Sequence, residues 1–154
     1  MIWLGSSVQL IRGEDGRVSG FQAISRDITE RKRMEEELEK AAITDALTGL
    51  YNRRGFLSLA QRQTHLAERS RKGMILCFID LDGMKDINDQ LGHEQGDAAL
   101  TETAAVLTEV FRESDILARI GGDEFAVLAI DSSADHEDIL RSRLYERVAR
   151  RNRM

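Results

Sequence analysis

The sequence lacks proline altogether, has one cysteine and contains no long apolar run. Because Cys77 is the only cysteine, an internal disulfide is excluded, and its place in an apolar segment favours packing in the core. No run approaches the roughly 20 apolar residues that a transmembrane helix needs. Residues 1–5 also lack the basic start and apolar core of a signal peptide, so we expect no membrane span and a cytoplasmic location. The absence of proline indicates no function.

An excess of positive charge is also missing. The chain has 22 Lys and Arg against 27 Asp and Glu, a net charge of −5 that gives no reason to expect binding to a nucleic acid polymer. With 42% hydrophobic and 32% charged residues, the 154-residue sequence has the composition of one globular domain with an appendage.

Three regions follow one another along the chain. Residues 1–28 predict two strands, 8–12 and 17–26, joined by a turn over 13–16 that is rich in glycine and acids. Residues 28–43 predict a helix, because apolar side chains recur at helical spacing among mixed charges. The third region alternates the two kinds of element, with helices over 53–71, 94–112 and 134–150 and strands over 74–79, 116–120 and 125–130.

Acidic residues lie where these predicted strands end. Between the last two strands, Gly121 and Gly122 are expected to allow positive φ and to leave the surface of a hairpin turn open. Asp123 and Glu124 follow in that turn, and Asp80 ends the strand upstream. Such acids can converge on one divalent cation, which is the arrangement that phosphoryl or nucleotidyl transfer needs.

These residues carry a family resemblance. Gly121-Gly-Asp-Glu-Phe125 resembles the signature of the GGDEF domains, the diguanylate cyclases. Residues 45–54, 80–89 and 91–97 are similar to three further motifs of that family, in the same order. The resemblance stops before the last strands and helices of such a domain, so we expect a domain incomplete at its C-terminus, with an open sheet edge at the strand 74–79.

The resemblance implies an α+β fold, the ferredoxin-like palm of the nucleotidyl cyclases, with a partly antiparallel sheet and packed helices. It implies condensation of two GTP into cyclic di-GMP with release of pyrophosphate, by a homodimer that uses Mg²⁺. Two alternatives stay open. The chain could be an inactive fragment that binds GTP or cyclic di-GMP, or it could serve only as a dimerisation or signalling piece.

The resemblance also implies roles for single residues. Asp80, Asp123 and the carbonyl of Leu81 would hold the metal, and Asp123 would also accept the proton of the attacking hydroxyl. Glu124 would be a further catalytic residue that supports the metal site. Substrate binding would fall to the phosphate-side residues Gly83, Met84 and Lys85, the guanine readers Asn88 and Asp97, and the turn residue Gly122.

Arg112 and Asp115 match an RxxD pattern upstream of the signature. In the family this pattern is an inhibitory product site, in which the arginine binds phosphate and guanine and the aspartate binds the edge of the base. Taken as a bare pattern, the same pair is an ordinary helix end.

The N-terminal residues have a separate resemblance, to the last two strands and the exit helix of a PAS sensor domain. We therefore divide the chain into a PAS remnant (1–28), a linker helix (29–43) and a partial GGDEF domain (44–154). Asp27 or Thr29 is the expected helix cap. The helix could pair with its copy in a dimer or remain a solvated linker.

Overall fold

The structure is a computed structural model that describes residues 1–12, 14, 16–131 and 136–151. The chain divides into two compact units, which we call the hairpin unit (residues 1–40) and the sheet unit (residues 41–154). The division falls inside the helix that follows the hairpin.

Two long antiparallel strands form the hairpin unit. Strand β1 (Leu4–Arg12) pairs with β2 (Val18–Asp27), and helix α1 (Thr29–Ile43) follows. Of the two expected caps, Asp27 caps the helix, because its carboxylate accepts a hydrogen bond of 2.8 Å from the Thr29 amide. The Thr29 hydroxyl instead accepts from the Trp3 amide at 2.9 Å. Strand alternation places Val8, Leu10 and Phe21 on one exposed face.

The sheet unit alternates strands and helices as the sequence predicts. Its elements are β3 (Tyr51–Asn52), α2 (Arg53–Ser70), β4 (Gly73–Asp80), α3 (Met84–Leu91), α4 (His93–Val110), β5 (Ile116–Arg119), β6 (Glu124–Asp131) and α5 (His136–Arg151). Where the sequence predicts an element, its ends differ from the predicted ones by at most two residues. Residues 134–135 of the predicted last helix lie outside the described residues, as do 13 and 15 of the predicted turn.

A four-stranded sheet in the order β3-β5-β6-β4 organises this unit. Strand β6 pairs antiparallel with β4 along all eight residues of β4, and antiparallel with β5 on its other side. The two-residue β3 runs parallel to β5, a pairing that the sequence analysis did not predict. Among the described residues β4 pairs with β6 alone, and its Phe78 side chain is 69% exposed. The α+β class expected from the resemblance is confirmed.

Consecutive residues of β6 belong to two cores. Phe125 and Val127 pack towards α4 and α5, with Leu107 among their neighbours. Ala126 packs on the opposite face, in a cluster that contains Phe56 of α2. Because successive side chains of a strand alternate between its faces, this strand is buried on both sides and fixes the sheet between two helical layers.

Candidate functional site

The predicted metal ligands lie at one end of the β4–β6 pair. Asp80 is the last residue of β4, and its register partner is Glu124, the first residue of β6. The Leu81 amide donates to the carbonyl oxygen of Asp123 at 3.2 Å, which extends the contact past the end of the ladder. Asp80 and Glu124 are exposed and Asp123 is half-buried. The ladder therefore brings Asp80 close to Asp123 and Glu124, from which it is distant in sequence.

The glycines of the turn act differently from the prediction. Neither Gly121 nor Gly122 adopts a positive φ, so the conformational reason given for them is wrong. A Cβ at Gly121 would lie 2.4 Å from Oε2 of Glu124, so the Glu124 side chain would have to shift to admit it. At Gly122 a Cβ would meet nothing within 4 Å, so this position leaves an open surface, as expected. The turn itself is closed by the Ile120 amide, which donates to the Glu124 carbonyl at 2.9 Å.

A salt bridge that the sequence analysis missed anchors this turn. The Arg119 guanidinium donates twice to the Gly122 carbonyl, at 3.0 and 2.7 Å, and also lies 3.4 Å from the Asp45 carboxylate. Both side chains are largely buried. The Asp45 carboxylate further accepts from the Thr48 amide at 2.9 Å and the Thr48 hydroxyl at 2.7 Å. The loop before β3 is therefore tied to the acidic turn.

The pKa of Asp45 reflects these contacts. Burial alone would raise it, but the hydrogen bonds from Thr48 and the positive charge of Arg119 outweigh burial and lower the pKa below its ordinary value. Aspartate with threonine three residues later predicts the local hydrogen bonds. The ion pair joins residues 74 positions apart, and no local pattern predicts it.

The start of α3 offers main-chain donors beside the acids. Gly83 precedes the helix with φ of +78°, and no side chain caps the helix start. The Met84 side chain is buried in the core, so only its backbone could reach a ligand. Lys85 is exposed. Free N–H groups at a helix N-terminus with a nearby lysine suit phosphate.

The two predicted guanine readers lie on adjacent helices. Asn88 is in α3 and Asp97 in the early part of α4. The Asn88 amide lies against Gly96, the residue before Asp97. The structure thus places the Asn88 amide beside the residue that precedes the exposed Asp97, although Asn88 and Asp97 lie on separate helices.

The carboxylate of Asp115 already has protein partners. It accepts from the Arg112 amide at 2.8 Å and from the Ile130 amide at 3.4 Å, while its own amide donates to the Arg112 carbonyl at 2.9 Å. Asp115 therefore has a structural role in the turn between α4 and β5. The Arg112 side chain is exposed.

The donor chemistry at the sheet end suits Mg²⁺. Within the described part of the chain, no group of three or more His, Cys, Asp or Glu side chains could hold a metal ion. The predicted set consists of two carboxylates and a main-chain carbonyl, and Mg²⁺ commonly binds one or two carboxylates together with substrate phosphates. The side chains of Asp80, Asp123 and Glu124 make no hydrogen bond or ion pair with the described residues, so their oxygens are available. The residues fit the ion.

The chain is similar in sequence to known proteins of one family. The family profile described as "Diguanylate cyclase, GGDEF domain" matches residues 42–154. Over 134 residues the chain is 37% identical to the probable diguanylate cyclase DgcE of Escherichia coli K12, and over 107 residues it is 45% identical to diguanylate cyclase DgcM of the same organism. It is also 36% identical over 122 residues to the cyclic di-GMP phosphodiesterase PdeR, again from that organism.

These relatives are much longer than the chain. The matches cover 87%, 68% and 79% of this chain but only 12%, 26% and 18% of DgcE, DgcM and PdeR. Among solved structures, the coiled coil and GGDEF domain of DgcB from Caulobacter crescentus, in complex with c-di-GMP, superposes with a TM-score of 0.67 at 31% identity. That match covers 75% of this chain and 62% of the DgcB chain. The chain belongs to the GGDEF domain family.

None of the described helices combines the length and the apolar character needed to cross a bilayer.

Proposed function

We propose that this chain acts as a diguanylate cyclase that makes cyclic di-GMP from two GTP. In each half of the reaction the 3′-hydroxyl of one GTP bonds to the α-phosphorus of the other, the bond to the β-phosphate oxygen breaks, and pyrophosphate leaves. The observation that carries the proposal is the pairing of Asp80 with Glu124, beside the Leu81–Asp123 hydrogen bond. It gives adjacent carboxylates next to the free N-terminus of α3.

Each residue has a role in this proposal. Asp80, Asp123 and the Leu81 carbonyl would hold Mg²⁺, which neutralises phosphate charge when bound. Asp123 accepts the hydroxyl proton, with Glu124 in support. The Gly83 and Met84 backbone and the Lys85 ammonium bind phosphate.

Base recognition and assembly follow from the same proposal. Asp97 accepts from the N1–H and 2-amino groups of guanine, and Asn88 pairs with neighbouring polar atoms. One chain offers one such pair of readers, whereas the reaction consumes two GTP, so we propose that two copies act together in the cytoplasm. Helix α1 exposes Met34 and Leu38 four residues apart and could form the seam between copies. We take β1 and β2 to be the end of a PAS domain.

The catalytic assignment predicts that single carboxylates are essential. Asp80→Asn and Asp123→Asn should each lower cyclic di-GMP formation by at least about 100-fold, because each removes a charged oxygen ligand without changing side-chain size. The measurement is chromatography of product from GTP and Mg²⁺, with Asp138→Asn, an exposed residue of α5, as the control. Unchanged turnover in either site variant would remove that carboxylate from the site.

A second candidate is a domain that binds GTP or cyclic di-GMP without turnover. The match to PdeR favours keeping it, because the same region occurs in a protein named for the opposite reaction. In this case the parent chain should bind GTP in calorimetry while yielding no product, and Asp97→Ala should weaken that binding. Product formation by the parent chain would rule this candidate out.

A further inference from the structure

One close approach joins α3 and α4 beside the proposed base readers. A Cβ built on Gly96 would lie 2.0 Å from Oδ1 and 3.0 Å from Cγ of Asn88. Such distances are far shorter than any ordinary van der Waals contact, so the Asn88 amide occupies the space that an alanine methyl group would fill. Gly96 is buried and Asn88 is half-buried.

Backbone conformation does not explain this glycine. Gly96 lies inside α4 and has no positive φ, unlike Gly92 before the helix. Apart from proline, glycine is the poorest helix former, so an interior glycine in a helix needs another reason. The space taken by the Asn88 amide supplies that reason.

The main chain on both sides of the contact is held in place. The Gly92 amide donates to the Asn88 carbonyl at 3.0 Å, and the Gly96 amide donates to the Gly92 carbonyl at 3.3 Å. Because the main chain at Asn88 and at Gly96 is hydrogen-bonded to Gly92, neither backbone can move away easily. A methyl group at position 96 is therefore accommodated most easily by rotation of the Asn88 side chain away from α4.

We infer that Gly96 is a positioning residue that sets base specificity. This inference rests on the proposed function and deepens it. Without a Cβ at position 96, the Asn88 amide stays next to Asp97, where the pair can meet the guanine edge together. Adenine presents an acceptor where guanine presents its N1–H, so the Asp97 carboxylate repels it, and a displaced Asn88 leaves guanine less favoured.

The experiment is a double-mutant cycle with Gly96→Ala, Asn88→Ala and the combined variant. Calorimetry gives GTP and ATP affinities, and circular dichroism gives the midpoint of thermal unfolding. Gly96→Ala alone should lower the GTP:ATP affinity ratio by about fivefold or more, as for one lost hydrogen bond. In the Asn88→Ala background the same change should alter the ratio by less than about twofold. Gln95→Ala, an exposed neighbour in the same turn, is the control and should leave the ratio unchanged.

The unfolding midpoints test the contact independently of nucleotide. Gly96→Ala should lower the midpoint in the parent chain but raise it when Asn88 is already alanine, because alanine is then only a better helix former. A ratio unaffected by Gly96→Ala overturns the specificity role. A midpoint that falls equally in both backgrounds overturns the contact. If the parent binds neither nucleotide, the specificity role falls with the proposed function, whereas the midpoints still decide the contact.

Discussion

The hairpin unit and the sheet unit both contain antiparallel strands, but they differ in burial. Among the described residues, all the buried hydrophobic side chains lie from Phe56 to Leu140, within the sheet unit. The hairpin unit instead exposes large apolar side chains along both strands, among them Phe21 at 72%. A two-stranded hairpin is marginal by itself, whereas a sheet between two helical layers can hold a core. Strand pairing alone therefore does not stabilise a fold, and the core should set the stability of this chain.

The largest expected effect comes from emptying the core. Phe125→Ala should lower the free energy of unfolding by about 3–5 kcal/mol, because the Phe125 side chain is fully buried. The matched variant, Phe21→Ala, removes the same atoms from the exposed hairpin and should change the free energy by less than about 1 kcal/mol. Urea unfolding followed by circular dichroism measures both. If both variants lose the same free energy of unfolding, the Phe21 side chain is covered in solution, and the difference in burial between the two units does not hold.

The sequence predicts most elements of the sheet unit because their signals are local. Apolar runs ending in acids indicate β4 and β6, and helical spacing indicates α2 and α4. Strand β3 has only two residues, too few for any pattern. Its partner β5 is distant in sequence, so the parallel pair is set by tertiary packing rather than by local sequence.

The sequence likewise predicts part of the site and misses the contacts that depend on the fold. The motif residues Asp80, Asp123 and Glu124 do meet at one sheet end. The reason given for Gly121 is wrong, because the crowding by Glu124 depends on a side-chain position that the sequence does not specify. Arg119 was missed for the same reason, since its partner Asp45 is brought near only by the fold.

The second effect compares two aspartates with the same local chemistry. Asp45 and Asp27 each accept a hydrogen bond from a following threonine amide, but only Asp45 is largely buried and paired with an arginine. Asp45→Ala should cost about 1–3 kcal/mol of unfolding free energy, because it leaves the Arg119 charge without its partner. Asp27→Ala should have a smaller effect, since Asp27 is exposed. Urea unfolding of both variants checks the order, and a reversed order would contradict the role of burial.

The stability of the parent chain should also depend on acid pH through the Asp45 carboxylate. The pKa of Asp45 is lowered: burial opposes this, but the bonds from Thr48 and the charge of Arg119 outweigh it. The carboxylate therefore contributes its full stabilisation above the ordinary aspartate pKa of about 3.9, and the contribution is lost as the pH falls through the lower folded value. The unfolding midpoint of the parent chain should fall more steeply than that of Asp45→Ala as the pH is lowered below about 4. If the midpoints of the two proteins fall in parallel with pH, the pKa of Asp45 is the same in the folded and unfolded states.

The smallest expected effect separates structure from ligand binding at the turn before β5. Asp115→Ala should cost about 0.5–1.5 kcal/mol, because the Arg112 and Ile130 amides lose their acceptor. Arg112→Ala leaves those hydrogen bonds in place and should barely change stability. It should weaken cyclic di-GMP binding if the exposed guanidinium binds phosphate. Calorimetry with cyclic di-GMP and urea unfolding of both variants separate the two roles. If Arg112→Ala binds as well as the parent, the turn is an ordinary helix end, because Asp115 would then act only on the backbone amides.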